Sequence, residues 1–120
     1  MAVIKNVQVA DPGVSLSLDL TGLISPTKSL PNLTVSATVT NPDGTQHNSV
    51  FNINSPIFDS SNNPVMVIVM PYGDVNYPVG QQVRVNISAS FADAGGSHSI
   101  DSVSNLPVTA QSGKFNVSVV

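Results

Sequence analysis

Residues 77–96 read YPVGQQVRVNISASFADAGG. Val83, Val85, Ile87, Ala89 and Phe91 occupy every second position, with Arg84, Asn86, Ser88 and Ser90 between them. A period of two places the apolar set on one face of an extended chain and the polar set on the other, which is the pattern of a half-buried strand. The DAGG that closes the stretch, residues 93–96, supplies an Asp and two glycines for a tight turn. It should lead into a further strand through SHSIDSV, residues 97–103.

The same alternation recurs along the chain. VSLSLDL turns Val14, Leu16, Leu18 and Leu20 one way and Ser15, Ser17 and Asp19 the other. LTVSATV does so with Leu33, Val35, Ala37 and Val39, and FNVSV with Phe115, Val117 and Val119. Residues 3–9 form a weaker strand whose pattern Lys5 interrupts. Between the runs lie turn signals. In TNPDGT, residues 40–45, Pro42 presets φ, Asp43 suits the next turn position and Gly44 accepts positive φ. That turn should join a strand ending near Thr40 to one covering HNSVFNI. Pro26, Pro31, Pro56, Pro64, Pro71, Pro78 and Pro107 mark further connections, where a missing N–H does no harm. No segment sustains a 3.6-residue stripe. The expected fold is therefore all-β: a single domain over residues 1–120, with about seven to nine strands in two antiparallel sheets packed face to face. Alternation leaves the strand order open between immunoglobulin-like and jelly-roll topologies. Residues 1–10 are expected as an edge strand or arm.

Composition excludes several classes of function. Only 9% of the 120 residues are charged and the net charge is −3. All seven acids are Asp, and the cations Lys5, Lys28, Arg84 and Lys114 are dispersed. Asp favours turns whereas Glu and Lys favour exposed helices, so the imbalance agrees with a β-fold. Without a basic cluster, nucleic acid is not an expected partner, because neutralising phosphates needs several cations on one face. The longest apolar run, PVMVIVMP at 64–71, is too short to span a bilayer as a helix, so no membrane role is expected either. The absence of Cys removes disulfides and thiolate sites. The start, MAVIKNVQVADPG, has neither the basic head nor the long apolar stretch of a secretion signal, so synthesis in the cytoplasm is expected. The sequons at Asn32, Asn86 and Asn116 are then expected to be unmodified.

No motif carries chemistry, and no catalytic residue, metal or cofactor is expected. His47 and His98 lack the close spacing of a zinc pair and read as surface imidazoles. There is no Gly-x-Ser-x-Gly elbow among the many serines. Calcium could be offered carboxylates by Asp43, Asp59, Asp74, Asp93 and Asp101, all in or near expected turns. No Asp-x-Asp spacing occurs, however, and turn chemistry is the plainer reading of those residues.

Residues 77–103, with the YPVG lead-in, the VRVNISASFADAGG strand and turn, and SHSIDSV, resemble the later strands of bacterial and phage immunoglobulin-like domains. LTVSATVTNPDGT resembles the middle hairpin of the same modules. The likeness covers about half the chain and implies an immunoglobulin-like sandwich, without the disulfide and buried Trp of antibody domains. It also implies a role: a virion protein made in the host cytoplasm without an export signal and exposed on the capsid surface, specifically a decoration (cement) protein of a bacteriophage. Its partner would be the major capsid protein or another virion protein, with self-association into a homo-oligomer also open. The alternatives are a phage tail or head-fibre module, one domain of a bacterial adhesin, and a carbohydrate-binding module, the last disfavoured by the lack of Trp.

Two surfaces are expected to meet a protein partner. Six apolar residues in a row, 65–70, break the alternation seen elsewhere. Such a run fits a strand buried on both faces, or one on which Met66, Ile68 and Met70, or their alternates, face a partner with Tyr72 and Tyr77 alongside. The second surface is the N-terminal strand, where Val3, Ile4, Val7 and Val9 could bring an added strand to a sheet edge on a capsid subunit or a sister copy.

Overall fold

A computed structural model of the chain describes residues 3–10, 13–27, 29–54, 56–57 and 64–112. These residues form seven strands and no helix: β1 (Ile4–Ala10), β2 (Gly13–Asp19), β3 (Leu33–Thr40), β4 (Gln46–Ile53), β5 (Val65–Pro71), β6 (Gln82–Asp93) and β7 (Gly96–Gln111). All seven belong to one mixed sheet in the order β4-β3-β6-β7-β1-β2-β5, which curls until it is nearly barrel-shaped.

The turns form where the sequence asks for them. Asn41 N–H donates to the Thr45 carbonyl (2.8 Å), and Gly44, at φ 91°, donates to the Asn41 carbonyl (2.9 Å). The Asp43 carboxylate receives the Thr45 N–H at 2.9 Å. At the other end of β6, Asp93 receives the Gly95 N–H at 2.8 Å, and β7 starts at Gly96.

The alternating apolar residues supply the core. Val14, Leu16, Leu18 and Leu20 meet Leu33, Val35, Val39, Val83, Val85 and Ile87 inside the barrel. Each such side chain stabilises the fold by about 1.5–3 kcal/mol of transfer free energy before ordering costs are set against it.

Three features differ from what alternation implies. The sheet is not purely antiparallel: β1 and β7 run parallel and are joined at two residue pairs, Val9↔Ala110 and Ala10↔Gln111. β1 is consequently interior, flanked by β7 and β2, and is not an edge strand or arm. β7 is also longer than SHSIDSV and continues through Pro107, which pairs with Arg84 instead of ending the strand. The physical reason is a pair of bulges. Between Ile87↔Val103 and Val85↔Leu106, β7 carries one residue more than β6, and Ile100 is the extra residue between Ala89↔Asp101 and Ser90↔Ser99. Bulges bend and twist the strand that holds them, so β7 from Gly96 to Thr109 curves along β6 from Asp93 to Gln82, and its last residues, Ala110 and Gln111, arrive beside β1. At Pro107 the side of β7 away from β6 has not yet met β1, and a missing N–H there costs no ladder bond. The strand expected at Phe115, Val117 and Val119 lies outside the described residues.

Candidate functional site

The ends of β1, β3, β5 and β7 and the starts of β2, β4 and β6 meet at one end of the barrel. Among the described residues, the connections 41–45 and 72–81 lie at that end. The second is drawn across it by hydrogen bonds to β1 and β7. Gly80 N–H donates to the Ala110 carbonyl (2.7 Å), and Ala110 N–H donates to the Gln81 carbonyl (2.9 Å). The Tyr77 hydroxyl lies 3.0 Å from the Val9 carbonyl and 2.9 Å from the Gln111 carbonyl, so its one proton is shared across the parallel junction.

Asp74 is the centre of the arrangement. Its side chain is 3% exposed, and a carboxylate so placed needs partners. Oδ2 receives Nδ2 of the buried Asn41 at 2.7 Å, and Oδ1 receives the Asn76 N–H at 2.9 Å. His47 on β4 brings Nε2 within 3.2 Å of Oδ2, near enough to pair when charged but out of line for a hydrogen bond. The His47 ring stacks on Tyr72, centroids 5.2 Å apart and planes 27° off parallel. The Tyr72 hydroxyl is buried without a hydrogen-bond partner among the described residues. Burial, and after it the nearby Tyr77 and Asp74, push its ionisation well above the ordinary value of 10.0. The group of Asn41, His47, Tyr72 and Asp74 therefore ties the two connections together, and the Asp74 carboxylate anchors the turn at residues 74–76. On that turn Val75 is 99% exposed and, beyond Tyr77, Val79 is 53% exposed. Between Val79 and the 41–45 turn runs an open groove of about 640 Å³ lined by Asn41, Pro42, Asp43, Asn76, Pro78 and Gln81, among others, while Val75 borders a separate depression with Thr45, His47 and Gly73.

The expected contact residues are distributed differently. Val3, Ile4, Val9, Ile68 and Met70 are core residues, and Val7 and Met66 are half-buried against them. The apolar run at 65–70 is an alternating strand after all: the side chains that reach solvent are Val67 and Val69, the alternates of Ile68 and Met70. Tyr72 and Tyr77 both belong to the 72–81 connection and are half-buried against the core. His47 and His98 stand at opposite ends of the sheet, His98 against Asp93 (2.9 Å) and stacked on Phe91. Among the described residues no three His, Asp or Glu converge as a metal site would require. The described aspartates serve backbone groups instead, Asp101 reaching across the fold to receive the N–H groups of Val3 and Ile4, both at 3.0 Å. Asp59 lies outside the described residues.

Asn41, Asp74, Val75 and Val79 were not singled out as a group by sequence reasoning. The available signal was local: an Asp followed two residues later by Asn is an Asx-turn pattern, and in Gly73-Asp74-Val75-Asn76 it puts a valine at the tip. Comparison of the chain with protein-family models, curated proteins and solved structures finds no match.

Proposed function

We propose that this chain is a non-enzymatic structural protein of a virion, a decoration (cement) protein that binds the outer surface of the major-capsid shell. In this reading its strands have an immunoglobulin-like arrangement. One group is β1-β2-β5, the other β4-β3-β6-β7, and the short parallel contact of β1 with β7 joins them. The nearly uncharged surface suits packing against a protein lattice more than against a polyanion.

The observation that carries the reading is Val75, fully exposed on a turn that a buried carboxylate holds in place. Single exposed valines are ordinary. Two on one braced connection form a docking edge whose ordering cost is already met in the free protein. Burying the fully exposed Val75 and the exposed half of Val79 contributes about 2–4.5 kcal/mol, short of the roughly 8 kcal/mol of a micromolar complex. The rest must come from the polar surface beside each of them and from the many copies a shell presents.

Two measurements test this. Reading frames flanking the gene should include a capsid, portal or head-protease frame; a run of sandwich repeats continuing this frame would instead place the chain in an adhesin. With heads that lack the protein, wild-type chain should co-sediment. Val75→Asp combined with Val79→Asp should lose at least about tenfold in affinity, about 1.4 kcal/mol, with an unchanged melting temperature. Heads that do not retain the wild-type chain would sink the proposal.

A further inference from the structure

The groove between Val79 and the 41–45 turn is lined by side chains that the fold leaves unused. Asp43 is exposed there, one carboxylate oxygen on the Thr45 N–H at 2.9 Å. The other described aspartates are better supplied. Asp19 stands beside Lys5 (3.1 Å), Asp74 beside His47 (3.2 Å) and Asp93 beside His98 (2.9 Å), and Asp101 receives three backbone N–H groups. Asp43 has no such partner among the described residues, and the His47 imidazole bears on it only from beyond ion-pair distance. Asn76 and Gln81 are exposed as well. Both engage the fold through backbone groups alone, so their side-chain amides have no hydrogen-bond partner among the described residues.

The rest of the lining is apolar, with Pro42, Tyr77, Pro78 and the half-exposed Val79, and no lysine or arginine is among it. Both walls are fixed in advance. The 41–45 turn is closed by its own hydrogen bonds, and the other wall is held by Gly80 N–H on the Ala110 carbonyl and Gln81 N–H on the Pro78 carbonyl (3.0 Å). A groove already ordered loses little entropy when it is filled. Its free groups define what would fill it. An Asn or Gln amide offers donors and an acceptor, the complement of a peptide's C=O and N–H. A carboxylate without a cation attracts an arginine or lysine, whose aliphatic stem lies along apolar surface while its head reaches the charge.

We propose that this groove takes an extended segment of a partner protein that carries an arginine or lysine. The cation sits on Asp43, its stem lies along Pro42 and Val79, and the backbone of the segment is held by the side-chain amides of Asn76 and Gln81. The inference rests on the reading of this end of the barrel as a docking surface and adds the chemistry of what docks. It does not require the partner to be a capsid subunit.

An NMR titration of the full chain tests it. The probes are the capped pentapeptide Ac-Ala-Val-Arg-Val-Ala-NH2 and its counterparts with Gln or Glu at the centre. The arginine peptide should produce saturating shifts, with Kd in roughly the millimolar range, at the side-chain amide signals of Asn76 and Gln81 and the methyl signals of Val79. It should bind about threefold more tightly than the glutamine peptide, the glutamate peptide should be weakest, and added salt should narrow the differences. Asp43→Asn keeps an acceptor for the Thr45 N–H and should bring the arginine and glutamine peptides to equal affinity. Val79→Ser should weaken all three, while Asp93→Asn, at the opposite end of the barrel, should change none. Absence of shifts in the groove overturns the proposal, as do equal affinities for the three peptides or an arginine preference that survives Asp43→Asn. Calcium chloride alone moving the same signals at the same concentration would assign Asp43 to a metal ion and overturn it too. The titration contains no heads, so its failure is distinct from a failure of co-sedimentation, which would sink the capsid reading and leave the peptide chemistry of the groove standing.

Discussion

Asp101 shows how one side chain does work that no local pattern announces. It stands on β7 and binds the start of β1, 98 and 97 positions away, through the N–H groups of Val3 and Ile4, while Oδ1 receives the Ser102 N–H at 2.8 Å. The Ile4 N–H, and after it those of Val3 and Ser102, hold its carboxyl below the ordinary value of 3.8, against the opposing effect of burial. A folded value below the unfolded one means that the unfolded chain binds the proton more readily. The contribution of Asp101 is therefore complete above about pH 4 and is lost as pH falls through its lower folded value. Asp101→Asn should cost about 1–3 kcal/mol at neutral pH and flatten the acid limb of a melting-temperature profile below pH 4. A variant whose acid limb matches the wild type's would show that the carboxylate is not engaged. Asp19, Asp43 and Asp93 are lowered by similar hydrogen bonds but lie on the surface, where solvent weakens the effect.

At the scale of the element, the two described backbone positions of positive φ outside glycine are both Asn, Asn6 at 55° in the β1 bulge and Asn105 at 52° in β7. Asn tolerates this region better than other residues bearing a side chain. Asn105 is also tied to β6: its N–H donates to Asn86 Oδ1 at 3.0 Å, and its carbonyl accepts from Arg84 at 3.4 Å. Asn105→Val should cost at least about 1–2 kcal/mol, because a β-branched residue is strained at positive φ. Asn105→Gly should be within a few tenths of a kcal/mol of the wild type, glycine being unstrained there and losing only chain entropy. Equal urea midpoints for the two variants would mean that the bulge relaxes and the bend of β7 does not depend on it. The bend matters because it delivers Ala110 and Gln111 to β1.

For the whole molecule, closure rests on that short parallel contact, among the described residues the only ladder linking the β1-β2-β5 group to the rest of the sheet. Tyr77 reinforces it from the 72–81 connection by placing its hydroxyl against carbonyls on both strands. Tyr77→Phe should lower stability by about 1 kcal/mol and should act unevenly. Amide exchange at Ala110 and the neighbouring end of β1 should accelerate, while the β3–β6 pairing keeps its protection. Uniform acceleration across all strands would mean that the junction opens only with global unfolding. The same connection carries Val75, so loosening it should also weaken any docking that depends on a rigid turn.

Alternation along VSLSLDL, LTVSATV and VRVNISASF determined the β class, the inward faces of β2, β3 and β6, and the hairpin turns at residues 41–45 and 93–96. These properties are local, because a period of two and the φ demands of Pro, Asp and Gly act within a few residues. The run at 65–70 left its phase open between Met66, Ile68 and Met70 and their alternates, because a run with no polar residue carries no phase, and only pairing with β2 set which side of β5 turns inward. The interior place of β1, the reach of Asp101 and the burial of Asp74 beneath the 41–45 turn were settled only by the tertiary structure. Each depends on residues tens of positions apart being brought within 3 Å or so, and nothing in the spacing of a strand says which strand it will lie beside.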